Sequence, residues 1–425
     1  MRIEEIYQCF LECNSVCTDT RNIQENTLFI ALKGENFDAN TFVKEALNKG
    51  AKYVILDNKE FCTDSNKMLL VEDSLQTLQL LANYHRKQLG LPIVALTGSN
   101  GKTTSKELIY SVLSKKYNTK ATIGNLNNHI GVPLTLLSFD ENTDLGIVEM
   151  GANHQKEIEL LCKIAEPDFG YITNFGRAHL EGFGGIEGVI SGKSEMYSYL
   201  ENTNKMAFVN LDDTIQVEKT MNLPIYSFSF DDIVADVCFT EAQAQPMANL
   251  KMNNTVIHSN LTGTYNLTNI AIAATIGNYF NVSDEEIKDA IESYFPSNNR
   301  SQWIQKDSNK ILLDAYNANP SSMTVAIENF AQLNDKNKIL FLGDMFELGN
   351  ESDSEHQNII DLAQKLNLKT FFIGKHFFKN KNEKSLFFES YESLSEYITT
   401  NPIVEKTILI KGSRGMALEK ILNHI

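Results

Sequence analysis

The chain has 425 residues, 42% hydrophobic and 22% charged, with 38 Lys and Arg against 54 Asp and Glu for a net charge of −16. That balance describes a globular protein of about three domains and excludes a disordered chain, a single core and a nucleic-acid partner held by a diffuse basic surface. Six cysteines without CxxC spacing read as free thiols of a reducing compartment, not as a disulfide framework.

The opening stretch MRIEEIYQCF carries two glutamates where a secretory signal needs positive charge and then an apolar run. No stretch reaches membrane-spanning length, so a cytoplasmic protein without membrane insertion is expected. Cys9, Cys13 and Cys17 would share one helical face, as in a metal site, if a helix continued that far. CNSVCTDT reads instead as a helix giving way to a turn. Residues 1–88 then form a small α/β unit, with TLFIALKG and KYVILD as strands and NTFVKEALNKGA and SLQTLQLLANYHRKQLG as helices. Gly90 and Pro92 mark the first boundary.

From 89 to 294, the strands PIVALTG, LGIVEMG, FGYITN and MAFVN alternate with helices, the pattern of a mostly parallel sheet. TNIAIAATIGNYF and SDEEIKDAIESYF are two more helices, the second capped by Ser283. Pro296 breaks the pattern. Residues 295–425 alternate again, with KILLDAYNANP, KNKILFLGDM, LKTFFIGK and KTILIKGSRG as strands ending in loops. The fold class is therefore α/β in three domains, the central one built on a parallel sheet like a P-loop ATPase and the C-terminal one Rossmann-like. In such sheets ligands collect at the carboxyl ends of strands.

The stretch VALTGSNGKTTSK ends the first central strand on a glycine turn. Thr97, Gly98, Ser99, Asn100, Gly101, Lys102, Thr103 and Thr104 form a candidate phosphate cradle. Gly98 and Gly101 permit the tight backbone, Lys102 neutralises phosphate oxygens, and Thr103 offers a hydroxyl to Mg²⁺. Leu96 stands where the longer eight-residue pattern has its first glycine, so this is a shorter variant; an accidental Gly-Lys-Thr turn is the alternative. Glu149 ends another apolar strand, where a carboxylate can hold Mg²⁺ beside a nucleotide or simply be solvated. His179 lies in a glycine-flanked loop and Lys193 on what reads as a short helix; a capping histidine and a surface lysine are the plainer readings.

Together these strings resemble the ATP-dependent Mur ligases of peptidoglycan synthesis. TGSNGKTTSKE is similar to their phosphate loop, GNLNNHIGVPLTLL and EMGANHQKEIELL to their central-domain signatures, and NFGRAHLEGFGG to their metal-histidine loop. DAYNANPSSM, LGDMFELG and KGSRGMALE are most similar to the branch that joins D-alanyl-D-alanine to UDP-N-acetylmuramoyl-tripeptide, and TDTRNIQENTLFIALKGENFDAN extends the likeness to the first domain. The resemblance implies that Lys102 binds ATP phosphates, that Thr103 and Glu149 hold one Mg²⁺ and His179 a second, and that Lys193 reacts with CO₂ to give a carbamate. It places Asn266 and Asn269 against the adenine, Arg300 on the nucleotide and Asp314 on its ribose. Arg300 is preceded by Asn299 where the family usually has glycine.

The resemblance further assigns the UDP-sugar-peptide to Thr20, Lys33, Asn36 and Asp38 with Asn125 and Asn128, and the dipeptide to Asn317, Asn319 and Arg414. For the two third-domain asparagines, turn residues bonded to their own backbone are an equal alternative. It implies a monomer whose third domain closes on the nucleotide, and a reaction in which the γ-phosphoryl of ATP activates the tripeptide carboxylate as an acyl phosphate for attack by the dipeptide amine. Catalysis then falls to Lys102, His179 and Lys193 with the cations. A sibling ligase adding another amino acid, a folylpolyglutamate synthetase, a P-loop transport or switch ATPase and an inactive relative serving as a scaffold are the rival readings, the last opposed by intact Lys102, Glu149, His179 and Lys193. The diaminopimelate-adding sibling typically shows D-N-P-R where this chain reads NANP.

Overall fold

The computed structural model describes residues 1–425 except 232 and 298. Three sheets follow one another along the chain. The first has four strands, β1 (Ser15–Cys17), β2 (Thr27–Ile30), β3 (Ala51–Leu56) and β4 (Met68–Leu70), all parallel and in the order β1-β2-β3-β4. The opening helix stops at Leu11 and Cys17 lies on β1, so the three early cysteines do not share a helical face. All six thiols are free. Lys33–Gly34 and Phe37–Asp38 pair as a small separate hairpin.

The central sheet has nine strands: β5 (Ile93–Thr97), β6 (Thr119–Ala121), β7 (Leu145–Glu149), β8 (Phe169–Ile172), β9 (Met206–Asn210), β10 (Ile225–Ser229), β11 (Val237–Gln243), β12 (Asn249–Met252) and β13 (Thr255–His258). Their order is β13-β12-β11-β10-β9-β8-β5-β7-β6. From β6 to β11 all pairings are parallel; β12 and β13 add antiparallel at the far edge. That meander has no helix between its strands, and the strand–helix alternation of the sequence does not disclose it. Every residue of β5 is fully buried, because a strand covered on both faces must be apolar throughout. The chain leaves β5 for β6 and β7 on one side and then crosses to β8 on the other. The loop after β5 thus sits at the switch point where an open α/β sheet leaves a crevice.

The third sheet comprises β14 (Gln302–Lys306), β15 (Asn309–Asp314), β16 (Lys338–Gly343), β17 (Lys369–Ile373), β18 (Leu386–Phe388) and β19 (Thr407–Lys411), in the order β14-β15-β19-β16-β17-β18. Only β14 runs antiparallel. The anticipated cap Ser283 closes a capping box with Glu286, and Gly90, at the first boundary, ends the helix Ser74–Leu89 at φ +62°. Lys193 lies on a helix of seventeen residues, Ile186–Asn202, longer than expected. Gly188 and Gly192 interrupt its sequence pattern because a Cβ at either would strike Phe183, at 1.8 Å from its carbonyl oxygen and 2.5 Å from its ring respectively. One apolar cluster continues from Ile6 and Leu78 through Met150 and Phe183 to Met323 and Phe372, so the three sheets share packing. No helix among the described residues is long and apolar enough to cross a membrane.

Candidate active site

A cleft of about 990 Å³ opens between the carboxyl ends of the central and third sheets. On its central side, Gly98 (φ +140°) lays the loop after β5 against the end of β8, where a Cβ would come within 1.9 Å of Thr173 Oγ1. Gly101 (φ +80°) leaves no room beside Asn269, whose Oδ1 would be 2.6 Å from a Cβ. The Ser99 N–H donates to Asn174 O at 3.0 Å and the Asn100 N–H to Asn174 Oδ1 at 3.2 Å. Those two amides hold the loop in shape, and the donors directed at a guest come from the first turn of the helix Lys102–Leu113, whose N–H groups have no intrahelical acceptor. Ser99 to Thr104 line the cleft; Thr97 and Gly98 do not. Thr97 is fully buried behind the loop, and Gly98 supplies the turn.

Lys102 Nζ folds back on its own loop, donating to Gly98 O at 2.7 Å and Ser99 O at 3.2 Å. Burial pulls its pKa down; Glu149 acts the other way and Arg300 adds to the lowering. Glu149 is 1% exposed. Its Oε1 accepts from Asn127 Nδ2 at 2.8 Å, while Oε2, buried, finds no partner among the described residues. A carboxylate oxygen removed from water without a donor is costly, and a cation at that place would remove the cost. Thr103 and His179 face the same cleft. Lys193 stands one layer behind the wall, 1% exposed, with Nζ donating to Ala152 O at 3.0 Å above the Phe183 ring. Its pKa lies well below the usual lysine range, first through burial and then through the charge of Lys102.

The third sheet supplies the opposite wall. The Arg300 guanidinium stacks 3.6 Å from the centre of the Tyr316 ring, and Asn299 before it takes the left-handed conformation at φ +58°. Asparagine tolerates that region better than other side chains, which is how it stands in for glycine. Asp314 accepts from Ser301 N at 3.0 Å and from Lys411 Nζ at 2.6 Å. Asn319 caps the helix Pro320–Ala331 through Oδ1 and reaches Asn100 Oδ1 with Nδ2 at 2.7 Å. Asn125, Asn128 and Asn317 also line the cleft.

Several expected residues lie elsewhere. Asn266 is buried, with Nδ2 on Thr262 O and Oδ1 accepting from Asn269. It supports Asn269, which alone of the two lines the cleft. Arg414 is exposed and paired with Glu419 at 2.8 Å, outside the lining. Thr20, Lys33, Asn36 and Asp38, expected at the UDP end, lie in the first domain and outside this cleft. Asp38 caps the turn Ala39–Phe42 and Lys33 pairs with Asp57 at 2.8 Å. Conversely, Glu347, Lys411, Tyr316 and Asn127 hold site residues without having been singled out by sequence, since their partners are remote along the chain.

Two family models match this chain, the Mur ligase middle domain over residues 96–277 and the Mur ligase, glutamate ligase domain over residues 299–414. The UDP-N-acetylmuramoyl-tripeptide–D-alanyl-D-alanine ligase of Bacillus subtilis (strain 168) is 32% identical over 97% of this chain and 93% of its own length. The chain belongs to the Mur ligase family. Among solved Mur ligases, MurF from Acinetobacter baumannii matches with a TM-score of 0.88 and 31% identity, covering 99% of this chain and 97% of that one. MurF ligase from Thermotoga maritima in complex with ADP matches with a TM-score of 0.84 and 26% identity over 98% of this chain and 97% of its own. This Mur ligase is therefore similar to these relatives over nearly their whole length.

Proposed function

We propose that this Mur ligase joins D-alanyl-D-alanine to UDP-N-acetylmuramoyl-tripeptide at the expense of ATP, a step of peptidoglycan synthesis. The observation that carries the reading is the full-length likeness to ligases bearing that name, which includes the third-sheet loops as well as the phosphate loop. A carboxylate repels nucleophiles and lacks a leaving group, so the γ-phosphoryl first passes to the tripeptide carboxylate; the dipeptide amine then displaces phosphate from the acyl phosphate. Barrier lowering here is electrostatic and positional, in keeping with a cleft lined by lysine, asparagines and helix N–H groups.

The roles of individual residues follow the same reading. Lys102 leaves its loop carbonyls for the phosphates, and the first turn of its helix binds the transferring group. Asn269 borders the base, while Asp314, held by Lys411, meets the ribose and Arg300 reaches the phosphate chain. Mg²⁺ supplies charge neutralisation between the two reacting anions. Glu149 Oε2 and Thr103 suit one such ion and His179 a second. The buried, neutral-leaning amine of Lys193 supports its conversion to a carbamate by CO₂, once Nζ turns from Ala152 O into the cleft. Arg414 reaches the dipeptide only if the third-domain loop moves.

We further infer a division into residues 1–88 for the UDP end, 89–294 for ATP and 295–425 for the dipeptide side, working where ATP is made, in the cytoplasm. The test is one coupled assay. Purified protein, ATP, Mg²⁺ and D-alanyl-D-alanine are offered UDP-muramoyl-tripeptides ending in lysine or diaminopimelate, and products are weighed by mass spectrometry. ADP release equally fast without either acceptor defeats the ligase reading and favours a P-loop switch.

A further inference from the structure

His179 is held from across the cleft. It sits in the left-handed region at φ +53°, at the start of the short helix Leu180–Phe183. Its Nδ1 meets the Oε2 of Glu347, a residue of the third domain that is itself left-handed at φ +61°. Two non-glycine residues in that region facing each other over a domain boundary mark strain that the surrounding structure must impose.

The third-domain loop imposes it. After β16, the Met345 N–H donates to His356 Nε2 at 3.1 Å, the Phe346 N–H to Ser413 Oγ at 3.0 Å, and Asp344 is bound to the N–H groups of His376 and Phe377 at 2.9 Å each. Glu347 thus projects from an anchored base. Its carbonyl accepts from the Glu181 N–H at 3.3 Å, so backbone and side chain both grip the histidine's turn. An ionised carboxylate only accepts, so Nδ1 is the donor to Glu347 and Nε2 is the ring nitrogen left for the cleft.

We propose that Glu347 is the positioning residue of His179: it fixes the tautomer and direction of the imidazole, and does so only while the third domain is docked, so that domain closure and completion of the phosphate end of the site are one event. This rests on the reading that His179 serves the phosphate end. An ordinary docking contact lies beside it for comparison, Arg177 with Glu351 at 2.7 Å and Glu355 at 2.5 Å.

The experiment uses the full-length protein labelled with [¹⁵N]histidine, in which the His179 ring signals are assigned by their loss in His179→Ala, together with steady-state ligation by Glu347→Ala, Glu347→Gln and Arg177→Ala. The expected result is a single Nδ1–H tautomer at His179 in the parent, in Glu347→Gln, whose amide oxygen still accepts, and in Arg177→Ala. Glu347→Ala shows mixed tautomers and a kcat lowered by about 10–100-fold with the KM for ATP nearly unchanged. The proposal is overturned if Glu347→Ala keeps either the single tautomer or full kcat, if Glu347→Gln loses as much as Glu347→Ala, or if Arg177→Ala scrambles the ring equally. Full activity in His179→Ala removes the underlying role of His179 and this proposal with it; loss there beside full activity in Glu347→Ala removes this proposal alone.

Discussion

Glu149 and Asp314 end strands on opposite walls of one cleft, yet one keeps a buried oxygen without a partner among the described residues while the other has both oxygens occupied, by Ser301 and Lys411. The lysines differ in the same way. Lys102 and Lys193 rest on backbone carbonyls with no carboxylate of the described residues bonded to them, whereas Lys411 is locked to Asp314. The central wall holds charged groups with bonding capacity left over, at the cost of burying them; in Asp314 and Lys411 the third wall holds a pair already neutralised. Groups that must stabilise developing charge need the first arrangement, and groups that must present a fixed shape to a nucleotide are served by the second.

The contrast is broken most severely by removing the central charges. Lys102→Ala and Glu149→Gln are each expected to lower kcat by about 10²–10³-fold with circular dichroism unchanged; product formation near the parent rate in either variant contradicts the assignment. Asp314→Ala comes next. It leaves the Lys411 ammonium, 4% exposed, buried without its partner, and is expected to lower unfolding free energy by about 3–5 kcal/mol while raising the KM for ATP. Replacing both, Asp314→Leu with Lys411→Met, should restore stability and not ATP affinity, which chemical denaturation and kinetics measure separately.

Lys193 gives a smaller and pH-dependent effect. Its folded pKa is depressed below 10.5, so between the folded value and 10.5 the unfolded chain binds a proton that the folded chain does not. Stability therefore climbs as pH rises through that window. In CO₂-free buffer, Lys193→Met should flatten the climb and unfold at higher denaturant at neutral pH, by about 1.4 kcal/mol for each unit of depression; an unchanged slope means the amine is not held neutral. The smallest effect belongs to Arg414→Ala, whose exposed pair with Glu419 contributes under about 1 kcal/mol. A rise in the KM for D-alanyl-D-alanine in that variant is the measurement that brings Arg414 into the site, and an unchanged KM leaves it a surface pair.

What was legible along the chain was whatever depends on near neighbours. The turn at Gly98 and Gly101, the Ser283 cap and the apolar strands of all three sheets follow from backbone sterics, orphan helix N–H groups and burial, each settled within a few residues. The edge meander β11 to β13 escaped because its alternation competes with that of ordinary loops, and the length of the Lys193 helix escaped because its glycines are explained only by the Phe183 they pack against.

The chemical identity of the site came from strings of residues at strand ends, where function and local backbone coincide. Its wiring did not. Glu347 reaches His179 across 168 residues and Lys411 reaches Asp314 across 97, while Asn266 turns inward and Arg414 outward. A side chain's charge and reach are properties of the residue, but which partner shields it, and whether water is excluded around it, exist only once distant strands are packed. Burial and partnering therefore had to wait for the folded molecule, and they are what separate a reactive lysine from a structural one.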